Sequence, residues 1–161
     1  MRKILVFIMF TAVVLLASCS LEAKYDQYVQ EEKQEIINYL DNNPDLEFTL
    51  LESGLYYMDV TIGEGERPLR GDYVYVHYTG YFLNGFIFDS NVDRDSHGYP
   101  AGLGHVIDGF DEGVMLMKKG GSAKMLIPSY LGYGNTGYPM PAFTPILFDV
   151  KLDSIIPGAG K

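Results

Sequence analysis

The sequence predicts an antiparallel α+β domain, in which several β-strands pack against one short helix, preceded by an N-terminal helical extension. Three observations lead to this prediction. Residues 72–90 alternate β-branched and aromatic side chains around a turn, residues 146–152 alternate in the same way, and residues 109–118 carry apolar side chains at helical spacing. Alternation is typical of a strand, because successive side chains point to opposite faces of the sheet.

The composition is that of a folded, acidic protein. The 161 residues include 13 tyrosines, nine phenylalanines and no tryptophan, and the formal net charge is −9. An acidic surface repels phosphate backbones, and no basic patch stands out along the chain. Nucleic acid is therefore not an expected partner.

Residues 1–18 resemble the signal peptide of a bacterial lipoprotein. The chain begins with basic residues, followed by an apolar run at 4–17 that is shorter than a usual membrane-spanning helix. Small residues then precede Cys19, the one cysteine of the sequence. Cys19 is predicted to be lipidated, which places the domain outside the cytoplasm, on the periplasmic face or the cell surface, tethered by lipid. An uncleaved anchor helix with an incidental cysteine is the alternative, and neither case allows an intrachain disulfide.

Residues 19–45 are predicted to form a helical linker. Apolar side chains recur there at helical spacing, from Tyr25 and Tyr28 to Ile36 and Leu40, and Asn42-Asn43-Pro44 ends the pattern. One interpretation is a spacer between the lipid and the domain. In the other, the apolar stripe packs on the domain or on a second copy of the chain.

The folded domain is predicted to span residues 46–161. Residues 46–62 indicate strands interrupted at Gly54, and the turn-rich residues 63–68 connect them to the hairpin at 72–90. Asn84 and Gly85 are expected to supply the two positive-φ residues of a tight turn between its arms. Val74, Val76 and Tyr78 then share one face of the first arm.

The second half of the domain contains the predicted helix and two further strands. Residues 91–102 are predicted to form a loop, Leu103 to end a short strand, and Asp108 to cap a helix over about 109–118. Phe110, Val114 and Met117 share one face of this helix. Strands are expected at 123–127 and 146–152, with a loop at 129–144 between them.

Several common chemistries lack their sequence signatures. His77, His97 and His105 have no metal-ligand spacing, and the single cysteine is assigned to the lipid. Neither a Gly-x-Ser-x-Gly elbow nor a phosphate-loop lysine occurs. The sequence predicts no metal and no cofactor, and His77, whose parity opposes that of Tyr78, is expected to have a structural or exposed role.

Short motifs in the second half of the chain carry a family resemblance. They are Val76-His-Tyr-Thr-Gly80, Phe88-Asp-Ser90, Val106-Ile-Asp-Gly-Phe-Asp-Glu-Gly113, Ile127-Pro128, Gly132-Tyr-Gly134 and Leu147-Phe-Asp-Val150. In order and spacing they resemble the FKBP-type peptidyl-prolyl cis-trans isomerases, the macrolide-binding immunophilins, over about residues 66–156. The resemblance implies a twisted antiparallel sheet wrapped around a short helix. It also implies rotation of Xaa-Pro bonds in exported proteins, with proline-containing polypeptides and macrolides as ligands.

The resemblance also carries the family's pocket onto this chain. The residues implied for catalysis are Tyr78, Phe88, Asp89, Ile107, Tyr133 and Phe148. Those implied for substrate binding are Val106, Phe110, Arg94, Tyr99, Tyr138 and Met140. Phe110 stands where many members have tryptophan, Tyr138 where some have histidine, and Arg94 keeps the spacing of a basic partner for Asp89.

Two other functions compete with the isomerase. The first is a non-catalytic proline-peptide-binding or chaperone module that uses the same pocket, which Phe110 in place of tryptophan and the altered loops favour. The second is a structural lipoprotein whose helix at 24–41 recruits a partner. The isomerase ranks first because Tyr78, Asp89 and Tyr133 are all present.

Overall fold

The computed structural model describes residues 2–137 and 139–158, with side chains from residue 22 onward. Two α-helices and seven strands lie in this part of the chain. The helices are α1 (Arg2–Asn42) and α2 (Asp108–Leu116), and the strands are β1 (Thr49–Leu50), β2 (Tyr56–Thr61), β3 (Tyr73–Phe82), β4 (Ile87–Ser90), β5 (His97–Pro100), β6 (Ser122–Ile127) and β7 (Ile146–Ile156). A short 3₁₀ turn, Ser129–Leu131, follows β6.

The seven strands form one sheet, and every pair of neighbouring strands is antiparallel. Its order is β1-β2-β6-β7-β3-β4, and β5 also pairs with β3. Strand β3 therefore has β7 along one side, while β5 and β4 share its other side, β5 along Tyr73–Val76 and β4 along Thr79–Tyr81. The predicted antiparallel α+β fold is confirmed.

The main core lies between α2 and the inner face of the sheet. Phe110 and Val114 are buried on the face of α2 that the sequence predicts, and Met117, the residue after the helix, is buried beside them. Gly113 permits a close approach, because a Cβ there would lie 2.4 Å from the sulfur of Met125 on β6. Burial of these apolar side chains is the main stabilising contribution to the domain.

Helix α1 packs on the outer face of the same sheet. Ile36 is buried against Leu126 of β6 and Leu147 of β7, and Tyr39 and Leu40 extend this contact. The apolar stripe of residues 22–42 thus packs on the domain, as one of the two interpretations has it. The side chain of Cys19 lies outside the described residues. Within the part of the chain whose side chains are described, no helix is long and apolar enough to span a bilayer.

The turn between β3 and β4 differs from the prediction. Gly85 has a φ of +87°, whereas Asn84 keeps a negative φ. The Gly85 N–H donates to the Phe82 carbonyl at 2.9 Å, and the Phe82 N–H donates to the Phe86 carbonyl at 2.9 Å. This geometry is a three-residue loop closed by one left-handed glycine, so only one residue needs positive φ.

Three further predictions around the pocket are wrong. The predicted loop at 91–102 contains β5, which forms because β3 offers a free edge there, although Gly98 and Pro100 are poor strand formers. Leu103 ends no strand. Helix α2 begins at Asp108 rather than being capped by it, since Ile107 is the N-cap and makes no side-chain bond, and the helix ends at Leu116.

Asp111 ties the end of β5 to α2. It is buried, and its two carboxylate oxygens accept the N–H groups of Gly102 at 2.8 Å and Gly104 at 3.1 Å. A carboxylate in this position satisfies two backbone donors of the loop that precedes the helix. Burial of such a group is tolerated because both oxygens have partners.

We predict that Asp111→Asn lowers the free energy of unfolding by about 1–3 kcal/mol, since the amide group can accept only one of the two backbone bonds. Urea unfolding followed by circular dichroism measures this change. Glu112→Gln is the matched control, because this neighbouring, partly buried carboxylate accepts one bond from Ser53 that glutamine can also accept. Equal midpoints for the two variants would contradict the role assigned to Asp111.

Candidate active site

A cavity of about 390 Å³ opens between the N-terminal end of α2 and the inner face of β3 and β7. Apolar and aromatic side chains form most of its wall, and a few polar groups lie at its rim. Its lining residues are Tyr78, Asp89, His97, His105, Val106, Ile107, Phe110, Tyr133 and Phe148. A concave, mostly apolar site with few polar groups is the usual form of a small-ligand pocket.

Three aromatic rings form the floor of the cavity. Phe110 from the first turn of α2 meets Phe148 of β7 edge to face, with ring centroids 5.1 Å apart. Tyr78 of β3 contacts both rings, at 5.7 Å from Phe110 and 5.8 Å from Phe148. Edge-to-face contacts of this kind hold the rings in fixed orientations, so the floor is formed before a ligand arrives.

Gly80 allows a second aromatic layer behind this floor. A Cβ at Gly80 would lie 2.6 Å from the ring of Phe88 and 2.8 Å from the ring of Phe148. The Phe88 ring stands edge-on to Phe148, with centroids 5.6 Å apart, and does not line the cavity. Phe88 therefore supports the Phe148 ring rather than contacting the cavity itself.

Tyr78 and Asp89 form the polar part of the wall. The Tyr78 hydroxyl donates to the Asp89 carboxylate at 2.7 Å. A bulge brings Asp89 opposite Gly80, because the pairing of β3 with β4 shifts by one residue between Gly80 and Tyr81. Burial, the hydrogen bond to Asp89 and the charge of Asp89 together raise the pKa of Tyr78 to about 12.

Two further hydrogen-bond donors face the cavity. Burial, and then the charge of Asp89, raise the pKa of Tyr133 above its usual value, so its hydroxyl stays protonated. Ile107 is the N-cap of α2, and its carbonyl accepts the N–H groups of Phe110 and Asp111. Among the described residues no acceptor is bonded to the Ile107 N–H, which leaves that donor for a ligand.

The structure brings together seven of the residues that the family resemblance implies for the site. They are Tyr78, Asp89, Val106, Ile107, Phe110, Tyr133 and Phe148. Their positions come from β3, β4, β7, the start of α2 and the segment after the 3₁₀ turn. Residues far apart in the chain thus meet because the sheet curves around α2.

Other predicted site residues lie elsewhere. Arg94 is exposed and forms no ion pair with Asp89 in the described structure, although its charge acts to lower the pKa of Tyr78. Tyr99 is buried in the core behind the cavity, where it stacks on His97. Met140 is half-buried and does not line the cavity. Tyr138 lies outside the described residues.

Two histidines that the sequence analysis did not assign to the site line the cavity. His97 of β5 contacts the Tyr78 ring edge-on at 6.2 Å, and His105 lies just before the apolar wall residue Val106. Adjacency to Val106 was a usable signal for His105. For His97 no such signal existed, because β5 does not show in the sequence pattern. No cluster of metal-ligating residues lies in the described part of the chain.

A larger groove of about 540 Å³ lies on the outer face of the sheet. Its charged side chains are already paired, Lys124 with Asp149 and Lys151 with Asp153. His77 borders this groove and bonds Asp153 and the Arg94 carbonyl through its two ring nitrogens, which gives it a structural role. The aromatic cavity on the inner face is therefore the better candidate site.

Comparison with known proteins identifies the family. The profile of the FKBP-type peptidyl-prolyl cis-trans isomerase family matches residues 64–153. The FKBP-type peptidyl-prolyl cis-trans isomerase FkpA of Aeromonas hydrophila is 41% identical over 138 residues, which cover 83% of this chain and 50% of that protein. An FK506-binding protein of Neisseria meningitidis serogroup B is 41% identical over 102 residues, 62% of this chain and 94% of that protein.

A solved structure agrees with these matches. The crystal structure of FkpA from Escherichia coli superposes with a TM-score of 0.72 at 30% identity, covering 92% of this chain and 70% of that one. The chain spans half of the Aeromonas relative and 20–28% of several longer relatives. The profile match, the sequence identities and the shared architecture agree: this chain belongs to the FKBP-type peptidyl-prolyl cis-trans isomerase family.

Proposed function

We propose that the chain catalyses cis-trans isomerisation of Xaa-Pro peptide bonds in the aromatic cavity. The observation that carries this proposal is the floor of Tyr78, Phe110 and Phe148, with two hydrogen-bond donors at the edge. These donors, Tyr133 Oη and Ile107 N–H, have no acceptor among the described residues. Such a site holds an apolar ring and the carbonyl groups on either side of it. A proline and its two flanking peptide groups have this shape and polarity.

The reaction needs no proton transfer and no covalent step. Amide resonance sets a barrier of about 18–20 kcal/mol for rotation of a peptide bond, and spontaneous exchange of an Xaa-Pro bond takes roughly tens to hundreds of seconds. In the twisted transition state the nitrogen and the carbonyl are less conjugated, and the amide is less polar. A site that binds the twisted form better than the planar form accelerates the rotation.

The apolar wall supplies this preference. Phe110 and Phe148 are almost fully buried beneath the cavity, with Val106 and Ile107 beside them. Transfer of the planar, polar amide from water to this wall is less favourable than transfer of the twisted amide. The aromatic floor therefore grips the proline ring and favours the less polar state of the bond next to it.

The polar groups fix the substrate on either side of the bond. Tyr133 Oη and the Ile107 N–H donate to substrate carbonyls, which holds the chain while the bond rotates. Asp89 accepts from Tyr78, which orients the tyrosine ring toward the cavity. Because the pKa values of both tyrosines are raised, their hydroxyl groups remain donors at neutral pH.

The location and the clients belong to the same proposal. The leader pattern of residues 1–18 and the position of Cys19 support a lipid anchor outside the cytoplasm, with exported polypeptides that contain proline as substrates. The name of the Neisseria relative, an FK506-binding protein, supports macrolides as a second class of ligand for the cavity. Both ligand classes present an apolar ring next to a carbonyl group.

We predict that Asp89→Ala and Tyr133→Phe each lower kcat/KM for a short Xaa-Pro peptide by about 5- to 30-fold, the equivalent of roughly 1–2 kcal/mol of lost hydrogen bonding. The measurement is protease-coupled or NMR exchange kinetics on the domain without residues 1–18. Tyr130→Phe is the matched control, because its hydroxyl lies on the same segment but is bonded to the Ser53 carbonyl at the surface.

Two results would contradict different parts of this proposal, the first the catalysis and the second the assigned residues. A folded parent that shows no rate above background but binds a proline peptide would favour the non-catalytic binding module. Full activity in both variants would leave the isomerase intact and remove Asp89 and Tyr133 from its site. Circular dichroism of each variant shows that any loss is not caused by unfolding.

The raised pKa of Tyr78 predicts how stability depends on alkaline pH. An unfolded tyrosine loses its proton near pH 10, and the folded one near pH 12. The stabilisation is therefore fully present below about pH 10 and is lost as the pH rises toward about 12. Urea midpoints should fall more steeply over this window in the parent than in Tyr78→Phe. Equal slopes would contradict the raised pKa.

Cys19→Ser tests the lipid anchor. We predict that this variant, expressed with its leader in a Gram-negative host, loses palmitate labelling and leaves the membrane fraction, because serine offers no thiol for the lipid. Met9→Ser, within the apolar run at 4–17, is the control for the handling of the leader and should keep the label. Unlabelled parent protein would contradict the assignment of Cys19.

A further inference from the structure

A buried carboxylate on α1 bonds to the segment that carries Tyr133. Glu32 is 7% exposed and lies 97 residues before Ser129 in the chain. One of its oxygens accepts the Ser129 N–H, and the other accepts the Ser129 hydroxyl at 2.7 Å. Glu32 forms no ion pair with any described residue. The N–H and the hydroxyl of Ser129 are therefore the partners of its carboxyl group in the described structure.

Ser129 in turn fixes the backbone on both sides of Tyr133. Its carbonyl accepts the Gly132 N–H at 2.9 Å and the Gly134 N–H at 2.7 Å. Ser129 itself is 4% exposed, so water does not replace these bonds readily. A continuous set of hydrogen bonds therefore runs from the Glu32 carboxylate to the two glycines that flank the cavity tyrosine.

Helix α1 also holds the other end of this segment. Phe143 lies against the rings of Tyr25 and Tyr28, with centroids 5.2 and 5.3 Å away, and its N–H donates to the Gly134 carbonyl at 3.1 Å. Phe143 has a φ of +55°, a left-handed conformation that is strained for a residue with a side chain. Such strain persists only where surrounding contacts enforce it.

We propose that Glu32 is a positioning residue for substrate binding: through Ser129, α1 holds Tyr133 where its hydroxyl meets the substrate carbonyl. This inference rests on the proposed isomerase function and adds to it a helix outside the pocket. The inference gives α1 two separate roles. Ile36 packs on the outer face of the sheet and contributes to stability. Glu32 bonds to Ser129 and so fixes the position of the segment that carries Tyr133.

Substitutions of Glu32 and Ser129 differ in how many of the hydrogen bonds between these two residues they remove. Glu32→Ala leaves the buried N–H and hydroxyl of Ser129 without their acceptor, which releases the segment. Glu32→Gln keeps the shape, since its carbonyl accepts the Ser129 N–H and its amide donates to the Ser129 oxygen. Ser129→Ala removes one of the two bonds and leaves the backbone bond in place. The effects should therefore follow the order Glu32→Ala, Ser129→Ala, Glu32→Gln, largest first.

Amide hydrogen exchange tests the coupling without any assay of activity. In Glu32→Ala the amides of Gly132 and Gly134 should exchange about tenfold faster or more, while those of β6 and β7 exchange as in the parent. In Glu32→Gln they should stay within about twofold of the parent. Ile36→Val, which removes one methyl group from the outer-face contact, is the stability control and should leave the exchange of both glycines unchanged.

Kinetics then test the consequence for substrate. Tyr133 contacts the substrate both before and during rotation, so Glu32→Ala should raise KM roughly three- to tenfold with a smaller change in kcat. Ser129→Ala should shift KM in the same direction by less, and Ile36→Val should shift neither constant. These measurements use the folded chain from residue 19 onward, at a temperature where each variant is fully native.

The outcomes separate this inference from the proposed function. A parent without isomerase activity overturns the proposed function, and with it the inference. An active parent with unchanged KM in Glu32→Ala overturns the inference alone, whatever the exchange rates. Unchanged exchange at Gly132 and Gly134 also overturns it. Faster exchange together with a raised KM, both restored in Glu32→Gln, supports it.

Discussion

The antiparallel pairing of β3 with β7 determines where every other part of the structure can lie. It runs from Tyr73–Ile156 to Phe82–Ile146, and it places Tyr78 beside Val150 and Gly80 beside Phe148. Since side chains alternate between faces, this one register directs Val76, Tyr78 and Phe148 inward. A shift of one residue would turn the core and the cavity floor toward solvent together.

The same register explains how a pocket remains open in a well-packed domain. Val114 of helix α2 and Met117, directly after the helix, fill the inner face of the sheet. Phe110 in the first turn of α2 belongs to the same core, and its ring also forms part of the cavity floor. Gly80 leaves room for stacked rings beneath that floor. The cavity is thus bounded by side chains that are already held by the core, which is the condition for a preorganised site.

How far sequence predicts this protein depends on whether a feature is local. Strands β3, β6 and β7 and helix α2 have strong internal patterns, and the structure confirms them. The missed strand β5 has a weak pattern of its own and forms because β3 lacks a partner there. The single left-handed residue of the β3–β4 turn and the uncapped start of α2 likewise depend on tertiary context.

The site follows the same division. Motif residues such as Tyr78, Asp89 and Tyr133 meet as the family pattern implies. The environment of Tyr99 could not be predicted, because burial is a property of the assembled core. A contact between distant segments, such as that of Glu32 with Ser129, cannot be predicted from a single sequence, because neither residue belongs to a pattern that indicates its partner.

The terminal strands of the sheet have a further consequence for a protein proposed to meet unfolded chains. At one border β1, of two residues, covers only Tyr56 and Tyr57 of β2, which leaves the last four residues of β2 at the edge. At the other border the sheet ends in β4 and β5, of four residues each. A border strand with free backbone groups is a template on which an extended polypeptide can add and aggregate. Short border strands offer few consecutive backbone groups for such templating, so unfolded chains can approach the open cavity with little risk of becoming an extra strand.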